Sequence, residues 1–184
     1  MEKQDTGFAG CFELQGSIFK DNRGVFLKTY HDETFEQMGL RTDWKEEYYS
    51  ISGKNVIRGM HFQTPPAAHA KLVYCLHGEV LDVVIDLRVD SPTYLESRSF
   101  RLSPARGNSI YIPAGLAHGF LSLTEGSVMQ YKVTSVYSPE HDAGILWSSI
   151  DFEWPAEEPV VSVRDSQHVG IDDYVSEFSM GAAR

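Results

Sequence analysis

Two short segments place ionisable side chains inside otherwise strand-like sequence. The first is residues 55–63 (NVIRGMHFQ), followed ten residues after His61 by Lys71. The second is residues 111–120 (YIPAGLAHGF), in which a P-x-G-x-x-H spacing ends at His118. An imidazole exchanges protons near neutral pH and an ammonium group stabilises developing negative charge, so these residue types suit acid–base chemistry. Because the proline and glycine turn the chain sharply, His118 is expected at the start of a strand.

Arg58 and His61 are three residues apart, which in a regular strand places them on opposite faces. Gly59 lies between them, and a glycine inside a strand often marks a bulge. The sequence therefore predicts a bulge at Gly59 that bends the chain between the two side chains.

Strands are the elements that must position these residues. Four stretches rich in β-branched and aromatic residues are predicted as strands: residues 25–30, 71–76, 80–87 and 127–133. Turn residues separate the strands at short spacing, and many short strands with frequent turns favour a sandwich or jelly roll. One short helix is predicted from Asp32 to Met38, with Asp32 as its N-cap and Gly39 at its end.

Composition limits the class of protein. The chain has 184 residues, 42% of them hydrophobic, which predicts one domain over residues 1–184, with residues 179–184 expected to fray. The net charge of −10 argues against nucleic-acid and anionic-membrane binding, because both need a basic excess. Cys11 and Cys75 are too few for a disulfide framework and are expected to be reduced core thiols. The start lacks a signal-peptide pattern and no segment approaches roughly 20 apolar residues, so a cytoplasmic location is expected.

Taken in order and spacing, the motifs resemble the dTDP-4-dehydrorhamnose 3,5-epimerase family. The resemblance covers most of the chain and is carried by FKDNRG (19–24), RGMHFQ (58–63), GEVLDVVIDLR (78–88), SPTY (91–94), residues 113–120, YKVT (131–134) to Tyr137, WP (154–155) and SVRD (162–165). It implies an all-β, cupin-type jelly-roll fold with short peripheral helices and a homodimer. It also implies a reaction that removes protons beside the C4 ketone of a nucleotide-linked 4-keto-6-deoxy sugar and returns them on the opposite face.

The resemblance assigns the roles in this reaction residue by residue. His61 matches the base, and Asp165 matches the carboxylate that orients it. Lys71 matches the lysine beside the ketone oxygen, and Tyr131 matches the proton donor on the opposite face. No metal and no redox cofactor are implied. Further matches would bind substrate: Arg23 and Arg58 at the pyrophosphate, and Phe26, Gln63, His118 and Tyr137 around the sugar or nucleotide.

The chain departs from the family near the nucleotide. Glu46-Glu47-Tyr48 replaces a usual Gln-Asp-Asn run, Lys28 stands where a glutamate is usual, and Trp147-Ser148-Ser149 replaces Trp-Asn-Asp. Tyr48 could stack on a different base and Glu46 could accept from an exocyclic amine. A CDP- or GDP-linked sugar therefore stays open beside a dTDP-linked one, as does inversion at C3, C5 or both.

Other functions are weighed against the epimerase. A metal-dependent cupin would offer an H-x-H pair and a nearby glutamate, whereas residues 61–66 read HFQTPP. A cupin ketoisomerase and a binding module without turnover stay as alternatives. His118 fits a structural role as well as substrate contact. His69 and His77 are expected on the solvated surface, and Asp82 and Asp86 are expected to face solvent or pair with a strand neighbour.

Overall fold

The computed structural model describes residues 1–181 and consists mainly of antiparallel strands. The strands are β1 (Glu2–Asp5), β2 (Phe12–Gln15), β3 (Ile18–Asp21), β4 (Gly24–Leu27), β5 (Glu46–Ser52), β6 (Ile57–Gln63), β7 (Lys71–His77), β8 (Val80–Asp86), β9 (Ser97–Leu102), β10 (Asn108–Ile112), β11 (Leu116–Ser122), β12 (Ser127–Val133) and β13 (Asp142–Gly144). The helices are α1 (Asp32–Gln37) and α2 (Val163–Ser166), with 3₁₀ turns at Trp147–Ser149 and Ile171–Asp173.

Two sheets face each other around a shared core, which confirms the predicted jelly roll. One sheet has the order β1-β2-β10-β7-β12-β5 and the other has the order β13-β6-β11-β8-β9. Strands β3 and β4 form a separate hairpin. The core between the sheets is built from the inward-facing side chains of both, among them Val73, Val84, Ile110, Phe120 and Met129. Burial of these apolar side chains is the main force that holds the two sheets together.

The outer faces of the sheets are covered as well. Helix α1 packs Phe35 against Leu72 and Tyr111 on the six-stranded sheet. The segment after β13 packs Trp154 and Phe178 over the five-stranded sheet. Within residues 1–181, no helix combines the length and the apolar character needed to cross a membrane.

The helix was predicted with the wrong N-cap. Helix α1 begins at Asp32, its N-cap is His31, and no side chain caps it. The carboxylate of Asp32 instead accepts a hydrogen bond from the hydroxyl of Tyr30, which precedes the helix, and does not cap a backbone N–H of the helix. Gly39 does follow the helix, with a φ of +70°. The predicted strand over residues 25–30 is shorter in the structure, where β4 ends at Leu27.

Neither Asp82 nor Asp86 faces solvent, because both side chains are fully buried. Asp86 accepts hydrogen bonds from the Arg88 guanidinium at 2.8 and 2.7 Å and from the hydroxyls of Ser91 and Thr93 at 2.7 and 2.8 Å. These bonds outweigh the cost of burial and keep the pKa of Asp86 below its ordinary value. Asp82 and Asp86 alternate with apolar residues along β8, and in the structure this alternation corresponds to carboxylates that are buried and hydrogen-bonded.

The predicted bulge at Gly59 is confirmed. The pairing of β11 with β6 shifts between the pairs His118–His61 and Phe120–Arg58. Gly59 has a φ of +141°, and a Cβ there would lie 2.6 Å from the Cα of Gly119. Only glycine fits this close approach of two strands.

Near the C-terminus, the backbone N–H of Met180 donates to Asp90 at 2.7 Å. The prediction of a frayed tail covers residues 179–184, of which residues 182–184 lie outside the described residues. Cys11 and Cys75 are free and buried, as predicted.

Candidate active site

A cavity of about 330 Å³ opens between the two sheets. The six-stranded sheet supplies one wall: Glu46, Tyr48, Ser50, Lys71, Tyr131 and Val133. The five-stranded sheet supplies the other: Arg58, His61, Phe62, Gln63, His118 and Phe120. Four more residues complete the rim: His69, Tyr137, Asp142 and Arg164. Nine of the residues predicted for the site thus line one cavity.

His61 and Asp165 form a hydrogen-bonded pair at this cavity. The Nε2 of His61 lies 2.8 Å from Oδ1 of Asp165, and Oδ2 of Asp165 accepts from the backbone N–H of Gly59 at 3.0 Å. Helix α2 holds Asp165 in place, because the Ser162 hydroxyl caps its backbone N–H at 3.0 Å. Since Asp165 engages Nε2, Nδ1 is the ring nitrogen left free to act as a base.

The environment sets the charge of both groups. Burial alone would raise the pKa of Asp165, but hydrogen bonds from His61 and Gly59 outweigh it and lower this pKa to about 2. Burial lowers the pKa of His61 below 6.5, although Asp165 opposes part of that effect. The pair at neutral pH is therefore a carboxylate and a neutral imidazole, which is the form that accepts a proton.

Lys71 is buried beside His61. Its side-chain Nζ donates to the backbone carbonyl of His61 at 2.9 Å. Burial lowers the pKa of Lys71 to about 8, and Asp142 and Asp82 counter part of this effect. The ammonium form still prevails at pH 7, so Lys71 places a buried positive charge in the low-dielectric wall of the cavity.

Tyr131 lies in the wall that faces the His61 strand. Its ring stacks on that of Tyr48 at a centroid distance of 4.8 Å, because the β12–β5 register makes the two residues direct partners. Its hydroxyl lies 3.3 Å from Oγ of Ser50. Burial raises the pKa of Tyr131 well above its usual 10, so the group is a neutral phenol that can donate a proton.

A second imidazole–carboxylate pair lies deeper in the cavity wall. The Nε2 of His118 lies 2.6 Å from Oδ2 of Asp82, and both side chains are almost fully buried. The His118 ring also meets the edge of Tyr131 at 6.1 Å. His118 thus contacts the cavity and at the same time anchors a buried carboxylate.

The mouth of the cavity is held by polar contacts. The carboxylate of Glu46 accepts from the backbone N–H of Tyr137 at 2.7 Å. The amide of Gln63 ties two loops together, donating to Ala67 and accepting from Ser138. The exposed Arg58 donates to Ser52 at 3.0 Å. Of the three side chains, that of Arg58 is exposed and can contact a ligand that enters from outside.

Arg23 and Phe26 do not lie at this cavity. Both are on the β3–β4 hairpin, where Arg23 pairs with Asp21 at 2.6 Å and Phe26 is 61% exposed. Phe26 lines a separate depression with residues such as Phe19 and Lys28.

Sequence reasoning missed several residues at the site, and it was wrong about His69. That side chain is not solvated, because it lines the cavity and its Nδ1 lies 3.1 Å from Nε2 of Gln63.

Asp142 and Arg164 form an ion pair of 2.8 Å at the rim. His168 stands edge-on to His61 at 5.7 Å between ring centroids. Arg164 could have been predicted, because it is the neighbour of Asp165 in the sequence. His168 belongs to no motif from which its position at the site could have been predicted. His77 is exposed, as predicted.

The fold and the cavity together define an acid–base enzyme of the jelly-roll class. Its site sets a neutral imidazole on one sheet, a neutral phenol on the facing sheet and an ammonium group beside the imidazole. This set of groups suits proton transfer at a carbon next to a carbonyl.

The comparisons with known proteins identify the family. Residues 5–173 match the family model described as dTDP-4-dehydrorhamnose 3,5-epimerase, and the chain belongs to this family. The dTDP-4-dehydrorhamnose 3,5-epimerase of Salmonella typhimurium is 40% identical over 165 residues, which are 88% of this chain and 90% of the relative.

Solved structures agree with the family. The dTDP-4-dehydrorhamnose 3,5-epimerase of Bacillus anthracis, solved with TDP and PPi bound, has a TM-score of 0.90 at 34% identity and covers 92% of this chain and 99% of its own. NovW, a 4-keto-6-deoxy sugar epimerase from the novobiocin gene cluster of Streptomyces spheroides, has a TM-score of 0.94 at 29% identity and covers 100% of this chain and 96% of its own.

Proposed function

We propose that the chain is an epimerase that inverts C3, C5 or both of a nucleotide-linked 4-keto-6-deoxy sugar. The observation that carries the proposal is the placement of His61 and Tyr131 on facing sheets of one cavity. A sugar ring between them would present one face to a base and the other to an acid. This arrangement allows a proton to leave from one side and return on the other.

Nδ1 of His61 is proposed to take the proton from the carbon beside the C4 ketone. The electrons move to the ketone oxygen and form an enolate, which the ammonium group of Lys71 stabilises. Tyr131 then gives its phenolic proton to the same carbon on the opposite face. Each inversion leaves His61 with one proton more and Tyr131 with one fewer, so both must exchange with solvent before the next turnover.

Asp165 is proposed to orient His61 and to stabilise its charged form. Its carboxylate holds the Nε2 proton, so the lone pair is fixed on Nδ1. Gln63 and His118 are proposed to shape the wall around the sugar. The guanidinium of Arg58 at the mouth suits the paired oxygens of the pyrophosphate.

We propose dTDP as the nucleotide. Tyr48 and Glu46 are the residues that could recognise a different base. Tyr48 stacks on Tyr131, and Glu46 accepts a hydrogen bond from the backbone N–H of Tyr137, so both side chains already have partners. Tyr48 would then border the sugar, while Glu46 would fix Tyr137 at the entrance. The Bacillus anthracis epimerase, which was solved with TDP bound, supports the same choice.

We further propose that two copies form a homodimer. In the described chain, β5 ends the six-stranded sheet and pairs only with β12. Large apolar side chains on β5 and on the β3–β4 hairpin are about 60% exposed: Tyr49, Ile51, Phe19, Val25 and Phe26. An open edge beside exposed apolar groups favours pairing with a second copy. In that dimer, the hairpin would bring Arg23 and Phe26 to the partner's cavity.

The proposed reaction belongs to the synthesis of deoxysugars or surface polysaccharides. We propose a cytoplasmic location for it. Buried, unpaired Cys11 and Cys75 suit a reducing compartment.

Solvent deuterium exchange tests the proposed function. The protein would be incubated in deuterium oxide with dTDP-, CDP- or GDP-linked 4-keto-6-deoxy sugars, and NMR would follow C3 and C5. Deuterium entry with the dTDP sugar is expected, and the labelled carbons name the positions that are inverted. No entry with any of the three would contradict the proposal. Faster entry with the CDP or GDP sugar would contradict the choice of nucleotide.

A further inference from the structure

We propose that His61, Asp165 and His168 form a site for a transition-metal ion such as Zn²⁺, and that the bound ion inhibits the enzyme. The site lies behind the catalytic imidazole, because His61 lines the cavity whereas Asp165 and His168 do not. It is an inhibitory site for this chain and serves no step of the reaction.

The three ligand atoms are close enough to share one ion. Oδ1 of Asp165 lies 2.8 Å from Nε2 of His61 and 3.6 Å from Nε2 of His168, and all three atoms lie within 4.8 Å of one another. Zinc bonds to nitrogen and oxygen are about 2.0–2.2 Å, so tetrahedral ligands stand about 3.3 Å apart. The two separations from Asp165, 2.8 and 3.6 Å, lie on either side of this value, and the two imidazole nitrogens lie within 4.8 Å of each other.

Local structure brings His168 to the pair. His168 follows α2, which carries Asp165 three residues earlier. Its ring packs over Gly144, where an added Cβ would lie 2.4 Å from its Nε2. Gly144 is the β13 partner of His61, so its bare backbone opens the space beside that residue. The Nε2 of His168 is buried and has no hydrogen-bond partner among residues 1–181, which leaves it able to bind an ion.

The types of the three side chains also suit a metal, because carboxylate oxygens and imidazole nitrogens both bind transition-metal ions. Two histidines and one carboxylate are a set that zinc prefers.

Inhibition follows from the proton on His61. In the metal-free enzyme this proton is on Nε2, and the lone pair of Nδ1 is the base. A metal on Nε2 needs a lone pair on that nitrogen, so the proton moves from Nε2 to Nδ1 and no proton is lost overall. The nitrogen that faces the substrate can then no longer accept a proton. Because the ion lies on the far side, substrate can still bind, and the loss falls on kcat and not on KM.

Metal binding does not depend on the proposed function, whereas inhibition does. Calorimetry on the full chain without substrate would measure Zn²⁺ binding, with Mg²⁺ as the control ion. We expect one Zn²⁺ per chain and no binding of Mg²⁺, which prefers oxygen ligands. In His168→Gln, zinc affinity should fall by at least about tenfold, since even a supporting partner of a metal site is worth that much. The exposed His77→Gln serves as the matched control and should bind like the wild type.

Exchange kinetics at fixed free Zn²⁺ then test inhibition. In the wild type, kcat should fall with little change in KM, and a chelator should restore it. In His168→Gln, the rate at each zinc concentration is compared with the metal-free rate of the same variant, and zinc should no longer lower it. Equal zinc affinity in the wild type and His168→Gln, or no binding, would overturn the site. Zinc binding that depends on His168, in a chain with no exchange activity without metal, would instead keep the site and remove the proposed function.

Discussion

Replacing Asp165 by asparagine tests how the His61 base is prepared. The carboxylate accepts twice, from Nε2–H of His61 through Oδ1 and from the Gly59 N–H through Oδ2. An asparagine offers one acceptor and one donor in the same space. Because the Gly59 N–H cannot become an acceptor, the amide oxygen should turn toward it. The amide NH₂ then faces His61 and forces its proton onto Nδ1.

The size of the loss can be worked out from these contacts. The other amide orientation sets two buried donors against each other at Gly59, which costs about 1–3 kcal/mol. The tautomer of His61 that carries its proton on Nδ1, and so cannot act as the base, is therefore favoured by about one to two orders of magnitude. Losing the negative charge removes a charged hydrogen bond to the imidazolium, worth about 1.5–3 kcal/mol, or another one to two orders. We expect kcat to fall by about 10²–10⁴, in the range known when an orienting carboxylate becomes an amide.

The assay is the NMR rate of deuterium entry at saturating substrate, with KM measured in parallel. KM should change little, since Asp165 lies behind His61 and away from the substrate. The exposed Asp172→Asn is the matched control and should behave like the wild type. A rate for Asp165→Asn within about tenfold of wild type would refute the reasoning about the tautomer.

Three further predictions follow from the site and the fold. The pH profile of kcat/KM should be a bell: activity rises through the pKa of His61, which lies below 6.5, as the imidazole loses its proton, and falls near pH 8 as Lys71 loses its own. Tyr131→Phe should keep deuterium exchange by His61 but lower the yield of inverted sugar by about 10² or more, measured as the product-to-exchange ratio by NMR. Asp86→Ala should lower the free energy of unfolding by about 3–5 kcal/mol in denaturant titrations, because it leaves the buried Arg88 unpaired.

Each of these has a clear contrary result. An acid limb centred at or above pH 7 would show that burial does not control His61. For Tyr131→Phe, the matched control is Tyr49→Phe on the outer face of β5, and equal product ratios in the two would mean another group is the acid. For Asp86→Ala, a loss below about 1 kcal/mol would mean that Arg88 finds other partners.

The strand framework could be predicted because it depends on local sequence. The segment 127–133 alternates apolar side chains and forms β12 with those bounds. The bulge at Gly59 was also readable, because only a glycine there lets Arg58 and His61 both reach the cavity. The family resemblance added Asp165, which lies 104 residues after His61 and shares no local pattern with it.

The errors arise where distant segments meet. His69 looks like a loop residue, but the loop folds inward because Gln63 and Ser135 hydrogen-bond to its ring. His168 approaches His61 because Gly144, the β13 partner of His61, has no side chain in the space that the His168 ring occupies, and no spacing in the sequence encodes this contact. The resemblance assigns Arg23 to pyrophosphate binding, but within the described chain Arg23 does not line the cavity. The proposed role therefore requires the cavity of a second copy.

The central claim is that His61 removes the sugar proton. The most direct measurement follows deuterium entry into the dTDP-linked 4-keto-6-deoxy sugar by NMR, comparing wild type with His61→Asn, while calorimetry measures dTDP binding by both. The account predicts that exchange at C3 and C5 disappears in the variant while dTDP binding stays within about threefold, because the base acts in the chemical step. Exchange at the wild-type rate in His61→Asn would contradict it.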